Sequence, residues 1–222
     1  MCIRDRFWDI FKGRFSKLVI VNLLMLIFCI PLIIVFVLRI TYADVLGALY
    51  PFSGDLLVGF PAYPNMGSAP QQISLQVNLI FGAFMIVCAL IAAVGISGGI
   101  YVIRNMVWTE GIFVANDFWR GIKINIVVIL QSTLFYGICL YLFVISISWA
   151  EWTISVGGAN RILMTISIAI SYVAIAIVTL MYLWMLSMGA NYKLKFFQLL
   201  KNSFLMTFGL IFQNVFFAAL ML

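Results

Sequence analysis

RNMVWTEGIFVANDFWRGIK, residues 104–123, decides how the rest of the chain is read. It lies between two long apolar runs. It gathers Glu110, Asp117, Arg120 and Lys123 in a chain of which only 9% is charged. A soluble domain is about a quarter charged and nearer half apolar; here 65% of 222 residues are hydrophobic. No water-soluble fold hides that much apolar surface, so the charged stretch reads as a break between membrane spans.

Working outward, apolar runs without Asp, Glu, Lys, Arg or His cover 18–38, 75–103, 124–150, 162–190 and 203–222. Each is long enough for a spanning helix of about twenty residues. The expected fold is all-α, a polytopic transmembrane bundle of five spans forming a single transmembrane domain over 7–222. Pro31 is expected to kink the first span, because it lacks a backbone donor. Residues 40–74, with Pro51, Pro61, Pro64 and Pro70, read as a long irregular loop holding at most a short helix near 44–50. Residues 151–161 read as a short turn.

The ends read as artificial. Residues 1–6, Met1-Cys2-Ile3-Arg4-Asp5-Arg6, resemble the translation of a transposon-end sequencing adapter, and the last residues stop inside an apolar run. The expectation is a fragment whose native sequence begins near Phe7.

The formal charge of +6 does not indicate nucleic acid, because the basic residues end apolar runs and form no polar face. With alternating spans, Lys12, Arg14, Lys17, Arg104, Arg120, Lys123, Lys193, Lys195 and Lys201 share one side, and Arg39 and Arg161 the other. By the positive-inside rule the basic side, with the N-terminus, is cytoplasmic.

A pattern recurs before three of the runs: Phe7-Trp8 with Lys12, Phe118-Trp119 with Lys123, and Phe196-Phe197 with Lys201. Each copy has aromatics at positions one and two, an apolar residue at five, Lys at six and an apolar residue at nine. Positions one, five and nine fall near one helical face. Each copy reads as an amphipathic elbow lying at the interface, the lysine toward water. Gly121 is expected to let the second elbow bend into its span.

Ala92, Gly95 and Gly99 form a small-residue face suited to close helix packing. The intramembrane polar residues Asn22, Asn78, Asn125, Gln131, Gln213 and Asn214 read as helix-joining groups, with Gln131 and Gln213 as the alternative lining of a transport path. In the loop, Tyr50, Phe52, Phe60 and Tyr63 are candidates to stack on a sugar, with Asp55 accepting its hydroxyl bonds. The chain has no His, its cysteines have no metal spacing, and no nucleophile–base pair is placeable. The expectation is therefore no catalytic residue, no metal, no cofactor and no enzyme activity.

GGIYVIRNMVWTEG at 98–111, followed by DFWRGIKIN at 117–125, resembles the YesL-like family of bacterial membrane proteins of unknown function. So do Asn22-Leu23-Leu24 with Cys29-Ile30-Pro31, and Tyr192-Lys193-Leu194-Lys195-Phe196-Phe197 with Leu200-Lys201-Asn202. The resemblance implies a multi-pass protein of the bacterial plasma membrane. It also implies an association with carbohydrate uptake, and hence an importer permease as a partner beside the lipid bilayer. It supplies no catalytic residues.

Overall fold

The computed structural model describes residues 3–49, 68–108, 113–158, 160–192, 194–214 and 216. Five helices follow in order: α1 (Ile3–Leu49), α2 (Ala69–Trp108), α3 (Val114–Val156), α4 (Arg161–Asn191) and α5 (Phe196–Gly209). Among the described residues there is no strand. Helices α1 to α4 are long and apolar enough to cross a membrane. The fold is an all-α membrane bundle.

The helices overrun the apolar runs at both ends. At 1.5 Å per residue, the 47 residues of α1 extend about 70 Å, against a hydrocarbon core about 30 Å thick. Residues 40–43 and 69–74, expected as loop, are helical, and 44–49, expected as a short helix at most, continue α1. The reason is the position of the prolines. Nothing between Arg39 and Leu49 breaks a helix, whereas Pro51 disfavours helical backbone at the residue before it. Pro70 is the second residue of α2, in the first turn, where its missing N–H has no intrahelical partner to lose. Pro31 lies inside α1, whose helix continues past it on both sides.

The charged stretch is shorter than expected. α2 continues to Trp108 and α3 begins at Val114. The Phe113 N–H donates to Asp117 Oδ2 at 3.2 Å, and the Asp117 N–H to the Phe113 carbonyl at 2.9 Å. An acid in the first turn also suits the positive end of the helix. The turn expected over 151–161 contracts to the residues after Val156. Gly157 takes φ +73, its N–H bonds the Ile154 carbonyl, and the Gly158 N–H bonds the Thr153 carbonyl. This is the paired closure that ends helices at a left-handed glycine. Asn160 then caps α4, its Oδ1 accepting from the Ile162 N–H at 3.0 Å.

The expected fifth span, 203–222, starts earlier, as α5 at Phe196. Its 14 residues are too few to cross a membrane. A further helical stretch covers 211–214, and residues 215 and 217–222 lie outside the described residues.

The chain divides into two compact units. The first takes α1 as far as Pro31, Cys88–Phe135, and the chain from Leu180 onward. The second takes α1 from Leu32, α2 as far as Val87, and Tyr136–Thr179.

In the first unit Val21, Val102, Met106, Phe118 and Ile122 form one buried cluster, and Met185, Met188 and Leu199 another. Glycines set the spacing. A Cβ on Gly95 would lie 2.8 Å from Phe28 Cβ, one on Gly98 2.8 Å from the Phe118 ring, and one on Gly99 would overlap Met25. Without those carbons α1, α2 and α3 approach closely, which matters in lipid, where contact rather than water exclusion joins helices. In the second unit Gly82 is covered by the Tyr141 ring, whose hydroxyl donates to the Leu79 carbonyl at 3.0 Å.

Candidate functional site

The second unit holds a polar junction of three helices. Asn78 on α2 is buried, and its Oδ1 accepts from Arg39 Nη2 at 2.6 Å and Nε at 3.1 Å. Its Nδ2 donates to Ser148 Oγ on α3 at 2.7 Å. The amide thus uses both ends, accepting from a cation on α1 and donating to a hydroxyl on α3. Arg39 stands at the first position after the apolar run 18–38, where a long basic side chain can reach the interface. A cleft of about 420 Å³ opens beside it between α1 and α2, lined by Arg39, Asp44, Gly47 and the first two turns of α2.

The first unit uses its arginine differently. Arg104 Nη1 donates to the Ala190 carbonyl at 2.6 Å, one of the last-turn carbonyls of α4 that lack an intrahelical donor. A cation there also complements the helix dipole. The guanidinium lies 5.2 Å from the Tyr101 ring centroid, within cation–π range. Thr133 and Tyr182 share a hydrogen bond of 3.0 Å between α3 and α4.

The aromatic repeats are helical. Residues 7–15 lie within α1, and 118–126 within α3; neither is set off from the span that follows. The side chains of Phe7, Trp8 and Lys12 lie outside the described residues. Gly121 is no hinge. It is buried against Tyr101, and a Cβ there would overlap that side chain. The two described copies share one burial pattern. Phe118, Gly121, Ile122 and Asn125 face inward, and so do Phe196, Leu199, Leu200 and Ser203. The inward set is positions one, four, five and eight, rather than one, five and nine. At 100° per residue those four cluster within about 100°, and position nine falls on the flank.

Position two points out in both copies: Trp119 is 60% exposed and Phe197 81%. Lys123 and Lys201 are exposed as well. Phe118 packs on Phe28, ring centroids 6.1 Å apart, and Phe196 on Phe135 at 6.2 Å. Position eight is a polar orphan both times. Asn125 Nδ2 and Ser203 Oγ are buried without a hydrogen-bond partner among the described residues.

Ala92, Gly95 and Gly99 are buried, the last two against α1. Asn22, Gln131 and Gln213 are exposed on their helices among the described residues. Asn214 reaches the Thr207 carbonyl at 3.2 Å. The loop candidates Tyr50, Phe52, Asp55, Phe60 and Tyr63 lie outside the described residues. Cys29, Cys88 and Cys139 are free thiols. Among the described residues no three metal-ligating side chains gather.

Sequence reading missed the Arg39–Asn78–Ser148 junction and the Arg104–Ala190 contact. Both arginines stand one position beyond an apolar run and look like its punctuation. The only signal was Asn78, an amide just inside a run. The arrangement defines an all-α, multi-pass membrane protein whose helices are joined by polar contacts near their ends. No family model, no curated protein and no solved structure matches the chain.

Proposed function

We propose that this chain is a YesL-like integral protein of the bacterial plasma membrane with a cytoplasmic N-terminus. It serves there as a non-enzymatic accessory or assembly partner of a carbohydrate-uptake system. The observation that carries the reading is where the polar groups go. Arg39, Asn78 and Ser148 tie α1, α2 and α3 together, Arg104 closes the end of α4, and Thr133 meets Tyr182. Those side chains join helices to one another, as in a scaffold. The outward Trp119, Phe197, Lys123 and Lys201 give an aromatic and basic face at one end for lipid and a partner.

The direct test is affinity purification of the full-length protein from its native membrane. Recovery of a solute-importer permease supports the accessory role, and recovery of only a soluble regulator refutes it. Sidedness is tested with Gly54→Cys and Gly111→Cys and a membrane-impermeant thiol reagent. In intact cells Gly54→Cys labels and Gly111→Cys stays silent; the opposite result reverses the orientation.

A further inference from the structure

The cleft beside Arg39 belongs to the second unit, between α1 and α2, and has the dimensions and chemistry of a ligand site. Arg39 contributes a cation fixed in place. Of the five N–H groups of a guanidinium, Nε and one N–H of Nη2 are held by Asn78 Oδ1. No other described residue takes the remaining three donors, and Asn78 sets their direction. Ala69 and Pro70, at the positive end of α2, line the same cleft and favour an anion there. Asp44 is the counterweight, an exposed carboxylate on the same wall. It lies about 7.5 Å farther along α1 than Arg39, from five residues at 1.5 Å each. Ile40, Ile73 and Val77 supply apolar wall between and behind the charges.

The order along α1 is therefore apolar surface, cation, then anion. Phe36 and Ile33, one and two turns before Ile40 on the cleft side of α1, are about half exposed. Arg39 follows an uncharged run long enough to cross the hydrocarbon, so its guanidinium can reach phosphate level. A basic group between helices at that depth is a recognised setting for lipid headgroups. Guanidinium forks also match phosphate oxygens better than a point charge does.

We propose that this cleft seats the headgroup of an aminophospholipid of the phosphatidylethanolamine type. The phosphate accepts from the free N–H groups of Arg39. The primary ammonium donates to Asp44, and an acyl chain lies along the exposed face of α1 at Phe36 and Ile33. A quaternary ammonium has no N–H to donate, so phosphatidylcholine loses the Asp44 contact. Phosphatidylglycerol brings a net negative charge against that carboxylate with no ammonium to offset it. The assignment holds whichever side of the membrane is cytoplasmic.

Gly47 offers the cleanest perturbation. It lines the cleft, and no described residue lies within 4 Å of a Cβ placed on it. Gly47→Leu therefore fills the space without touching the Arg39–Asn78 contact, and leucine favours helix more than glycine does. The experiment titrates the full chain in detergent with phosphatidylethanolamine, phosphatidylcholine and phosphatidylglycerol of matched acyl chains. Retained lipid is read by native mass spectrometry, and soluble glycerophosphoethanolamine is run in parallel.

Phosphatidylethanolamine is expected to be retained at concentrations at least tenfold lower than either other lipid. Gly47→Leu should weaken it at least tenfold with the lipid-free melting temperature unchanged or raised. Asp44→Asn should bring phosphatidylethanolamine and phosphatidylcholine within a factor of about two. Equal retention of the three lipids, or unaltered binding to Gly47→Leu, overturns the proposal. Stronger retention of phosphatidylglycerol overturns the role of Asp44. Binding of the soluble headgroup as tight as that of the lipid would show that the ligand is a free phosphoester instead.

Discussion

Asn78→Leu should be among the most damaging single substitutions in the second unit. The two side chains have similar bulk, so the change removes hydrogen bonds and leaves little cavity. The largest loss is the acceptor of Arg39, held at 2.6 and 3.1 Å. Hydrogen bonds to charged groups contribute about 1.5–3 kcal/mol. The bond to Ser148 at 2.7 Å adds a neutral interhelical contact, which in membrane proteins averages about 0.6 kcal/mol. Arg39 is only half-buried and can turn partly to water or headgroups, which favours the lower end. The expected total is about 2–3 kcal/mol. The assay is equilibrium unfolding of the purified full chain in mixed micelles, with Arg39→Leu and the double variant completing a cycle. Removing both partners should cost less than the two single losses added together, with a coupling of about 1–2 kcal/mol. A coupling below about 0.5 kcal/mol, the ordinary error of additivity, would refute the claim that this contact ties α1 to α2.

Two further outcomes can be read in the same assay. Gly95→Leu places side-chain atoms where Phe28 already sits, and should destabilise by about 1–3 kcal/mol, as overpacking does; unchanged stability would mean that α1 and α2 are not in contact there. Phe118→Ala, at a residue only 1% exposed and packed on Phe28, should cost about 3 kcal/mol, whereas Phe197→Ala, at 81% exposure, should stay within about 0.5 kcal/mol. Equal effects at those two positions would contradict the inward–outward assignment of the repeat.

The class of fold was legible because it rests on bulk properties. Runs of about twenty apolar residues without a charge have no stable alternative to spanning a membrane as helices. Helix ends were misread where one residue type has two meanings. Pro51 disfavours helix at the residue before it, whereas Pro70 opens α2, yet both lay in a stretch read as irregular but for a short helix near 44–50. Position in the turn decides which meaning applies, and composition does not record it. Gly121 was read as a place to bend. Its value is the space it leaves for Tyr101, which comes from a helix that only tertiary structure brings near.

The arginines show the same limit and what lies behind it. In a hydropathy reading Arg39 and Arg104 are equivalent, each ending a run. In the folded chain one meets an amide 39 positions away and the other a helix-end carbonyl 86 positions away. A guanidinium at the hydrocarbon boundary is too costly to leave unsatisfied, so its partner must be a polar group that the bundle cannot otherwise pair. The Ala190 carbonyl is such a group by its place in α4, and the Asn78 amide is one by its burial in α2. Reading a membrane sequence for these contacts therefore means pairing each run-ending arginine with an amide or a helix terminus at matching depth. On that rule Asn78 marks the partner of Arg39, and the three guanidinium donors that no other described residue takes are the ones the proposed headgroup would engage in the cleft.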